Sequence, residues 1–565
     1  MTRKKKASRP FLLSVMLLAL ALFAAACTSS DDTTTTTAAA VAGATTTTGA
    51  TTEPTEAPEA PEAEPSSDPI VVSLSTDINI LEQHLFRSTG SYAVTRALYQ
   101  PLLDQVFQET DGARLGTSEV VPSPMLESYE VADDGTATFV LKPDAKFANG
   151  DTITATDAVY MLTRSIEAPS SYIPLLLPFI AIDSADSFAV VDDTTFTITP
   201  NQPTALFGRW MTFQVFGPIQ ESLANAEATE EDPFAFDYFT TNANASGPYT
   251  LTNWDQAKGE VILDPNPGWS GEVANSGIIV RNVPDAEQRA LLLQGGDLDV
   301  ATGLPPRLIA ELADDPNIKV YSAPSTRINY IGMNAEAEPN LANEKVRQAI
   351  SYAVPYDALV DNVMFGLASP AGTLITSNME TYAGEAAGIY TTDVEKAKAL
   401  MEESGVDPFE VELAVQNSRA QDQQAAVFIQ DALREIGITV NINVLPDGEF
   451  AGLRDSRELA MFFHEWFSWG DDPFYQMTFL AKCGAFTNFA GGCNERLDEI
   501  IEEGTFETDS AVRDALSLEA QQLMVADANR IYLWSADWNL ATGADVVGVT
   551  KDFTEVPRFE NLSRG

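Results

Sequence analysis

Histidine and cysteine are the residues this chain almost does without: two histidines, His84 and His464, and three cysteines, Cys27, Cys483 and Cys493, in 565 residues. A zinc-protease helix needs two histidines four residues apart, and His464-Glu465 has no second one. Neither histidine has a neighbouring ligand cluster, so metal capture falls behind every other reading and no cofactor is expected. A Gly-rich phosphate loop with Lys and Ser or Thr is missing, and so is a Gly-x-Ser-x-Gly elbow. No catalytic residue is assigned. Adjacent Asp471 and Asp472 have the composition of a glycosidase pair, but two acids in a turn before Pro473 more commonly serve as a helix cap or an ion-pair site.

Positive charge is scarce as well. Lys and Arg number 33 against 82 Asp and Glu, for a net charge of −49. Such a balance excludes nucleic acid as a partner, because phosphate binding needs a basic surface, and an anionic bilayer would repel the folded part. Most of the acidity reads as solvated surface.

Some of the few basic residues, Arg3, Lys4, Lys5, Lys6 and Arg9, stand before the apolar run 11–26, which ends in Ala24-Ala25-Ala26. The run is too short for a membrane span and reads as a signal peptide over 1–26. A cysteine directly after small residues resembles the lipobox of bacterial lipoproteins, with Ala24 standing where Leu is usual, so Cys27 is the expected lipidation site. Residues 27–68 are mostly Thr, Ala, Pro, Glu, Ser and Gly, with no Lys or Arg. That composition cannot bury enough apolar surface to offset ordering its backbone, so a disordered tether is expected. Its end-to-end distance would be on the order of 35 Å, enough to hold a domain clear of the membrane.

No further apolar run of membrane length and no internal repeat occurs in 69–565, which is too long for one core. Cys483 and Cys493, in an exported protein, are expected to close a short surface loop as a disulfide, the alternative being two free buried thiols. The stretch 460–473, AMFFHEWFSWGDDP, is the natural centre of the chain. Its aromatics suit a buried strand, yet Trp466 and Trp469 are three apart and cannot share one side of a regular strand, so an irregularity near Ser468 is expected. Indoles at the end of a strand commonly contact a ligand.

The elements around it alternate in type. Residues 70–74 read as a buried first strand and 92–103 as a helix, with 79–90 between them at the strand's carboxyl end, where open α/β sheets present ligands. Asp134-Gly135 and Asn149-Gly150 mark turns, and a helix starts near Thr154 to Asp157 with Val159, Leu162 and Ile166 on one face. Further on, Thr392 and Glu395 read as a capping box for a helix carrying Val394, Ala397, Leu400 and Met401. Val411, Leu413 and Val415 alternate as a strand. Ala426, Ile429, Leu433 and Ile436 form a helical stripe, and Ile438, Val440, Ile442 and Val444 alternate again. Strand, helix and strand with short links make a βαβ unit and a largely parallel sheet.

The motifs Phe139-Val140-Leu141-Lys142, Lys146-Phe147, Asn149-Gly150-Asp151 and Thr154-Ala155-Thr156-Asp157-Ala158-Val159 follow one another in an order that resembles the extracytoplasmic solute-binding proteins, family 5, of ABC importers. Ser246-Gly247-Pro248-Tyr249 with Trp254 and 266–269, then 288–300, then Asn334 and Val346-Arg347-Gln348-Ala349-Ile350, keep the family order. The resemblance covers about 70–565. It implies a periplasmic-binding-protein-like α/β fold of the cluster C type, with two lobes of mixed sheets joined by a hinge plus a small accessory domain. Lobe 1 would take about 69–105, 240–327 and 531–565, the accessory domain about 106–239, and lobe 2 about 328–530. The chain would cross between lobes near 329–334 and again near Tyr532, and a ligand would close the cleft.

The family takes up oligopeptides, dipeptides, nickel chelates, haem and some oligosaccharides. In its peptide binders a strand Trp is followed three residues later by an Asp for the peptide's α-ammonium. Trp469 stands there in this chain, with Asp471 two residues further on as the substitute candidate, and Phe463 stands where some relatives put an Arg for the carboxylate. Trp469 offers a face to a sugar ring, an apolar side chain or a cation. Backbone groups of Glu465 and Phe467 suit an extended peptide as an added strand. The expected ligand-contacting set is Arg87, Ser88 and Thr89 from the first lobe with Asn329, Glu465, Trp466, Phe467, Trp469 and Asp471. The resemblance also supports the disulfide, as a structural bond. The expectation is an extracytoplasmic lipoprotein, anchored to the bacterial cell membrane by its N-terminal lipid, that as a monomer hands a peptide-like solute to ABC permease subunits. The alternatives are an oligosaccharide or cationic solute, or a surface sensor without a permease.

Overall fold

The computed structural model describes residues 68–86, 88–168 and 173–565, so the signal peptide, the tether with Cys27, and Arg87 lie outside the described residues. Among those described, no helix is long and apolar enough to cross a membrane. The first strand, Ile70–Leu74, sits in the middle of a seven-stranded mixed sheet. It runs parallel to Ile278–Asn282 on one side and to Val300–Ala301 on the other. Its VVSL core lies against neighbours on both edges, which is why it reads as a near-continuous apolar run. The helix after it spans Thr89–Leu98, earlier than the expected 92–103, because Ser88 caps it through its Oγ on the Ser91 amide.

A second, six-stranded sheet draws its strands from Ile328–Met333, Ala368–Pro370, Phe409–Gln416, Ile438–Leu445, Met461–Trp466 and Arg530–Ala536. The expected βαβ unit is present: Phe409–Gln416 and Ile438–Leu445 pair in parallel, with helix Ala420–Arg434 between them in sequence. Val411, Leu413, Val415, Ala426, Ile429 and Leu433 are all buried, so the stripe and the alternation meet in one core. The other face of the sheet buries Ile328, Tyr330 and Tyr532 against Phe474, Ile500 and Met524. The helix after Thr392 starts one residue later than expected, at Val394. Asp393 is its cap, accepting from the Lys396 amide at 3.0 Å, while the Thr392 hydroxyl donates to the Val354 carbonyl at 2.6 Å. A carboxylate one residue nearer the helix displaced the expected hydroxyl cap.

A four-stranded antiparallel sheet, with strands Leu126–Val131, Ala137–Leu141, Thr195–Ile198 and Phe188–Val190, carries the Asp134-Gly135 hairpin and packs with helix Ala155–Ile166. Thr154 and Asp157 form the reciprocal cap of that helix. Apolar residues of this sheet and of the seven-stranded one belong to one continuous core. Arg164 ties them together. Its guanidinium donates to both oxygens of Glu82 at 2.8 and 2.6 Å and to His84 Nδ1 at 2.9 Å, and lies 4.0 Å from the Phe236 ring centre. Burial, reinforced by Arg164, lowers His84 to about 4, so its ring is neutral and Nε2 donates to the Val215 carbonyl at 2.8 Å.

The crossings between the two large sheets differ from expectation. Ile318–Ala323 belongs to the seven-stranded sheet and Ile328–Met333 to the six-stranded one, so the chain crosses at 324–327 and Asn329 is already inside the second sheet. The return is at Asp537, between Arg530–Ala536 and Trp538–Gly543, because Tyr532 is still hydrogen-bonded in the second sheet.

Cys483 and Cys493 form a disulfide with Cα atoms 4.6 Å apart. In a Cys483→Ser/Cys493→Ser double variant, the freed loop is expected to reduce stability by about 2–3 kcal/mol, the worth of closing a chain of this length. Thermal unfolding of the double variant beside the oxidised parent checks this. An unchanged melting temperature would mean that packing alone holds the loop.

Candidate ligand-binding site

The strand Met461–Trp466 ends where the sequence turns irregular. Antiparallel Ile328–Met333 accompanies it as far as Trp466, whereas the parallel ladder to Phe409–Gln416 pairs only Met461 and Phe462. Among the described residues, one edge of the chain from Phe463 onward therefore has no neighbouring strand. After Trp466 the backbone leaves the sheet, Ser468 is buried, and Asp471 takes a left-handed φ of 44° before helix Pro473–Leu480. Asp472 caps that helix, accepting from the Phe474 and Tyr475 amides at 2.9 and 3.0 Å, and pairs with Arg513. The acid pair thus takes the cap and ion-pair roles anticipated for a turn before proline.

Three cavities adjoin here, and Thr89 borders all of them. The largest, about 620 Å³, is polar and lined by Arg327, Asn329, Arg419, Glu465, Asp537 and Glu555 among others. A second, of about 310 Å³, is walled by Phe86, Phe213, Trp466, Trp469, Tyr475 and Phe479. Between them lies a space of about 160 Å³ bordered by Phe467 and Trp469.

Glu465 organises the polar end. Arg327 Nη1 lies at 3.2 Å, Arg419 Nη2 at 3.0 Å and Asn329 Nδ2 at 3.4 Å from its carboxylate. Burial disfavours its charge, but Arg419 and Arg327 outweigh that and hold the carboxyl at about 2. Arg327 also reaches Glu555 at 3.1 Å and covers the Phe467 ring at 5.0 Å, and Arg419 reaches Asp422 at 3.2 Å. Burial pushes Asp422 up to about 6 in spite of Arg419. Each guanidinium is therefore shared between two carboxylates.

Trp469 anchors the aromatic end. Its ring lies nearly parallel to Phe86 and Phe213, at 5.6 and 5.8 Å between centres, and edge-on to Tyr92 at 5.5 Å. The ring also borders the aromatic cavity and the smallest one. Tyr475 joins the core of the seven-stranded sheet although its helix follows a strand of the other one. The segment after Trp466 meets the other core through these side chains and through Arg209, which donates to the Gly470 and Asp471 carbonyls and pairs with Glu380 at 3.6 Å.

The expected residues are distributed accordingly. Thr89 and Ser88 line the aromatic cavity, as do Trp466 and Trp469; Asn329 and Glu465 line the polar one; Phe467 borders the smallest. Asp471 lies outside the three, its carboxylate 4.0 Å from Arg209 and raised to about 6 by burial. Arg87 is not among the described residues. Phe463 is buried in the second core, and His464 is half-buried between Tyr330 and Phe489, its pKa lowered to about 3 chiefly by desolvation. Sequence reasoning missed Arg419, although its place just after the strand Phe409–Gln416 is where an α/β sheet presents ligands. It also missed Arg327, two residues from Asn329. For Glu555, which arrives from the C-terminal segment, no local signal exists.

The family-wide pattern of the bacterial extracellular solute-binding proteins, family 5, matches residues 119–488, more than half of the chain. The probable D,D-dipeptide-binding periplasmic protein of Escherichia coli K12 is 25% identical over 499 residues, covering 87% of this chain and 93% of that one. A glutathione-binding protein of Salmonella paratyphi A is 27% identical over 385 residues, covering 68% and 70%. Among solved structures, an ABC transporter-associated periplasmic binding protein from Helicobacter pylori in complex with peptide STSA superposes with a TM-score of 0.71 at 22% identity, over 88% of this chain and 98% of its own. The two-lobed mixed α/β architecture is that of the periplasmic binding proteins. With fold, cleft and pattern in agreement, the chain belongs to the bacterial extracellular solute-binding proteins, family 5, the non-enzymatic solute-capturing components of ABC importers.

Proposed function

We propose that the solute is peptide-like and that the protein, anchored through lipid on Cys27, delivers it to its permease. The observation that carries this reading is the open edge of the chain after Phe462 beside the three adjoining cavities. An extended backbone can add to that edge as a strand, independent of side-chain identity, while an apolar side chain enters the aromatic cavity. Ser88, Thr89, Asn329, Glu465, Trp466, Phe467 and Trp469 are the contacting residues under this reading, with Arg87 and Asp471 retained from the sequence as further candidates. The accessory domain is about 106–239, and lobe 2 is about 328–536 rather than the expected 328–530, because Arg530–Ala536 is a strand of the six-stranded sheet. Peptide is favoured over sugar because Phe86 and Phe213 already lie parallel to the Trp469 ring. The relatives described as binding a D,D-dipeptide and glutathione support the same class.

Mass spectrometry of the small molecules that co-purify with the full chain tests the assignment. Short peptides or peptide conjugates are the expected catch; sugars alone would overturn the reading.

A further inference from the structure

Helix Phe207–Trp210 lies within the accessory domain, and its side chains reach across to the turn that follows the strand Met461–Trp466. Arg209 Nη1 donates to the carbonyls of Gly470, at 3.5 Å, and of Asp471, two consecutive groups of that turn, and Nη2 lies 3.6 Å from Glu380. The arginine side chain is 11% exposed, so these contacts are made largely out of water, where a charge-assisted hydrogen bond is strong. Beside it the Trp210 ring meets Tyr475 edge-on at 5.3 Å. Gly470 allows this approach: a Cβ there would stand 3.1 Å from the Trp210 ring and 3.2 Å from that of Tyr475. Thr204, just before the helix, shares its hydroxyl between the carbonyls of Phe179 at 3.1 Å and Thr505 at 3.4 Å.

The turn is held on its other flank as well. Thr326, in the segment where the chain crosses between the large sheets, donates its hydroxyl to the Ser468 carbonyl at 3.4 Å. Trp469 stands between the two holds, on backbone that has left the sheet and takes a left-handed φ at Asp471, a conformation that surrounding contacts must maintain. Among the described residues no main-chain amide donates to the Gly470 or Asp471 carbonyl, so without the guanidinium both groups would turn toward water. We propose that Arg209 is a positioning residue for the aromatic wall of the cleft. By fixing the two carbonyls that follow Trp469, it sets where the indole stands against Phe86 and Phe213, and with that the outline of the two cavities the ring borders. This rests on reading the cleft as the solute site, and it gives the accessory domain a part in shaping that site.

Fluorine NMR of the full chain grown with fluorotryptophan reads the indole directly. Trp469→Phe identifies its line among the seven tryptophans, and Trp254, on the outer strand Tyr249–Asp255 of the seven-stranded sheet, is the internal standard. In Arg209→Gln the Trp469 line is expected to move and broaden while the Trp254 line stays, because a shorter, neutral amide does not hold both carbonyls and the indole samples several positions. Arg209→Lys keeps the charge but not the planar fork and should move the same line less. A merely structural arginine would lower the melting temperature with the Trp469 line in place, and that result would overturn the proposal. In a folded variant, a Trp254 displacement as large as that of Trp469 would overturn it too. Should Arg209→Gln fail to fold, the lysine variant decides by the same two lines: a displaced Trp469 line beside an unmoved Trp254 line upholds the role, and an unmoved pair sinks it. No solute enters the measurement, so failure here leaves the peptide reading standing, just as sugars among the co-purified molecules would leave the role of Arg209 in place.

Discussion

Replacing Glu465 with Gln is expected to lower the stability of the folded protein at neutral pH by about 2 kcal/mol, and by as much as about 3 kcal/mol before solvent screening is allowed for. Glu465 stands between Arg327 and Arg419, and its carboxyl is held at about 2 rather than 4.5. Its side chain keeps 22% of its surface exposed, which is why the smaller figure is the expected one. A neutral amide leaves each guanidinium with a single carboxylate, Glu555 for Arg327 and Asp422 for Arg419. The sign of the pH dependence follows from the direction of the shift. A carboxyl whose pKa is depressed on folding contributes fully above about pH 4.5 and loses that contribution as pH falls toward 2. Urea midpoints of parent and Glu465→Gln, followed from pH 7 to pH 2.5, should therefore converge in acid. Parallel curves over that range would show that the carboxylate charge is not what the cluster uses.

Trp469→Ala is expected to act on closure rather than on folding. The indole reaches from the loop after Trp466 to Phe86, Tyr92 and Phe213 on the other side of the cleft. Three aromatic contacts, each worth about 0.5–1.5 kcal/mol beyond burial, bias the lobes toward contact by about 2–3 kcal/mol in all. Losing them reduces the closed population and weakens solute affinity by roughly thirty- to a hundredfold, because apparent affinity scales with the competent fraction. Small-angle scattering should show a larger radius of gyration for the solute-free variant, with little change in melting temperature. A large fall in melting temperature at unchanged radius would make Trp469 an ordinary core residue.

How much of this was legible beforehand depended on the range over which each signal acts. The strands Phe409–Gln416 and Ile438–Leu445 and the helix between them follow from hydrophobic period, since burying one face of each is a local demand on spacing. The cap at Thr154, the Asp134-Gly135 turn and the break after Trp466 are local too, whereas the Ser88 cap, equally local, went unread. The cap at Asp393 shows the limit of such reasoning: two neighbouring residues were both able to cap, and the one nearer the helix did.

The charge cluster is of the other kind. Arg327, Arg419, Glu465 and Glu555 come from four separate segments, and nothing in the residues next to any of them says which cation meets which acid. Trp469 is the clearest single case. Its residue type and its place three after Trp466 mark it as an aromatic at a strand end offering a face to a ligand; only the fold brings Phe86 and Phe213 from far along the chain to lie parallel to that ring, which also borders two of the cavities. By itself the sequence determined the element types and the family order of motifs, because spacing and turn chemistry act between near neighbours. Only the tertiary structure decided where the chain crosses between lobes and how the cleft's charges pair, because those are settled by which distant segments share one low-dielectric space.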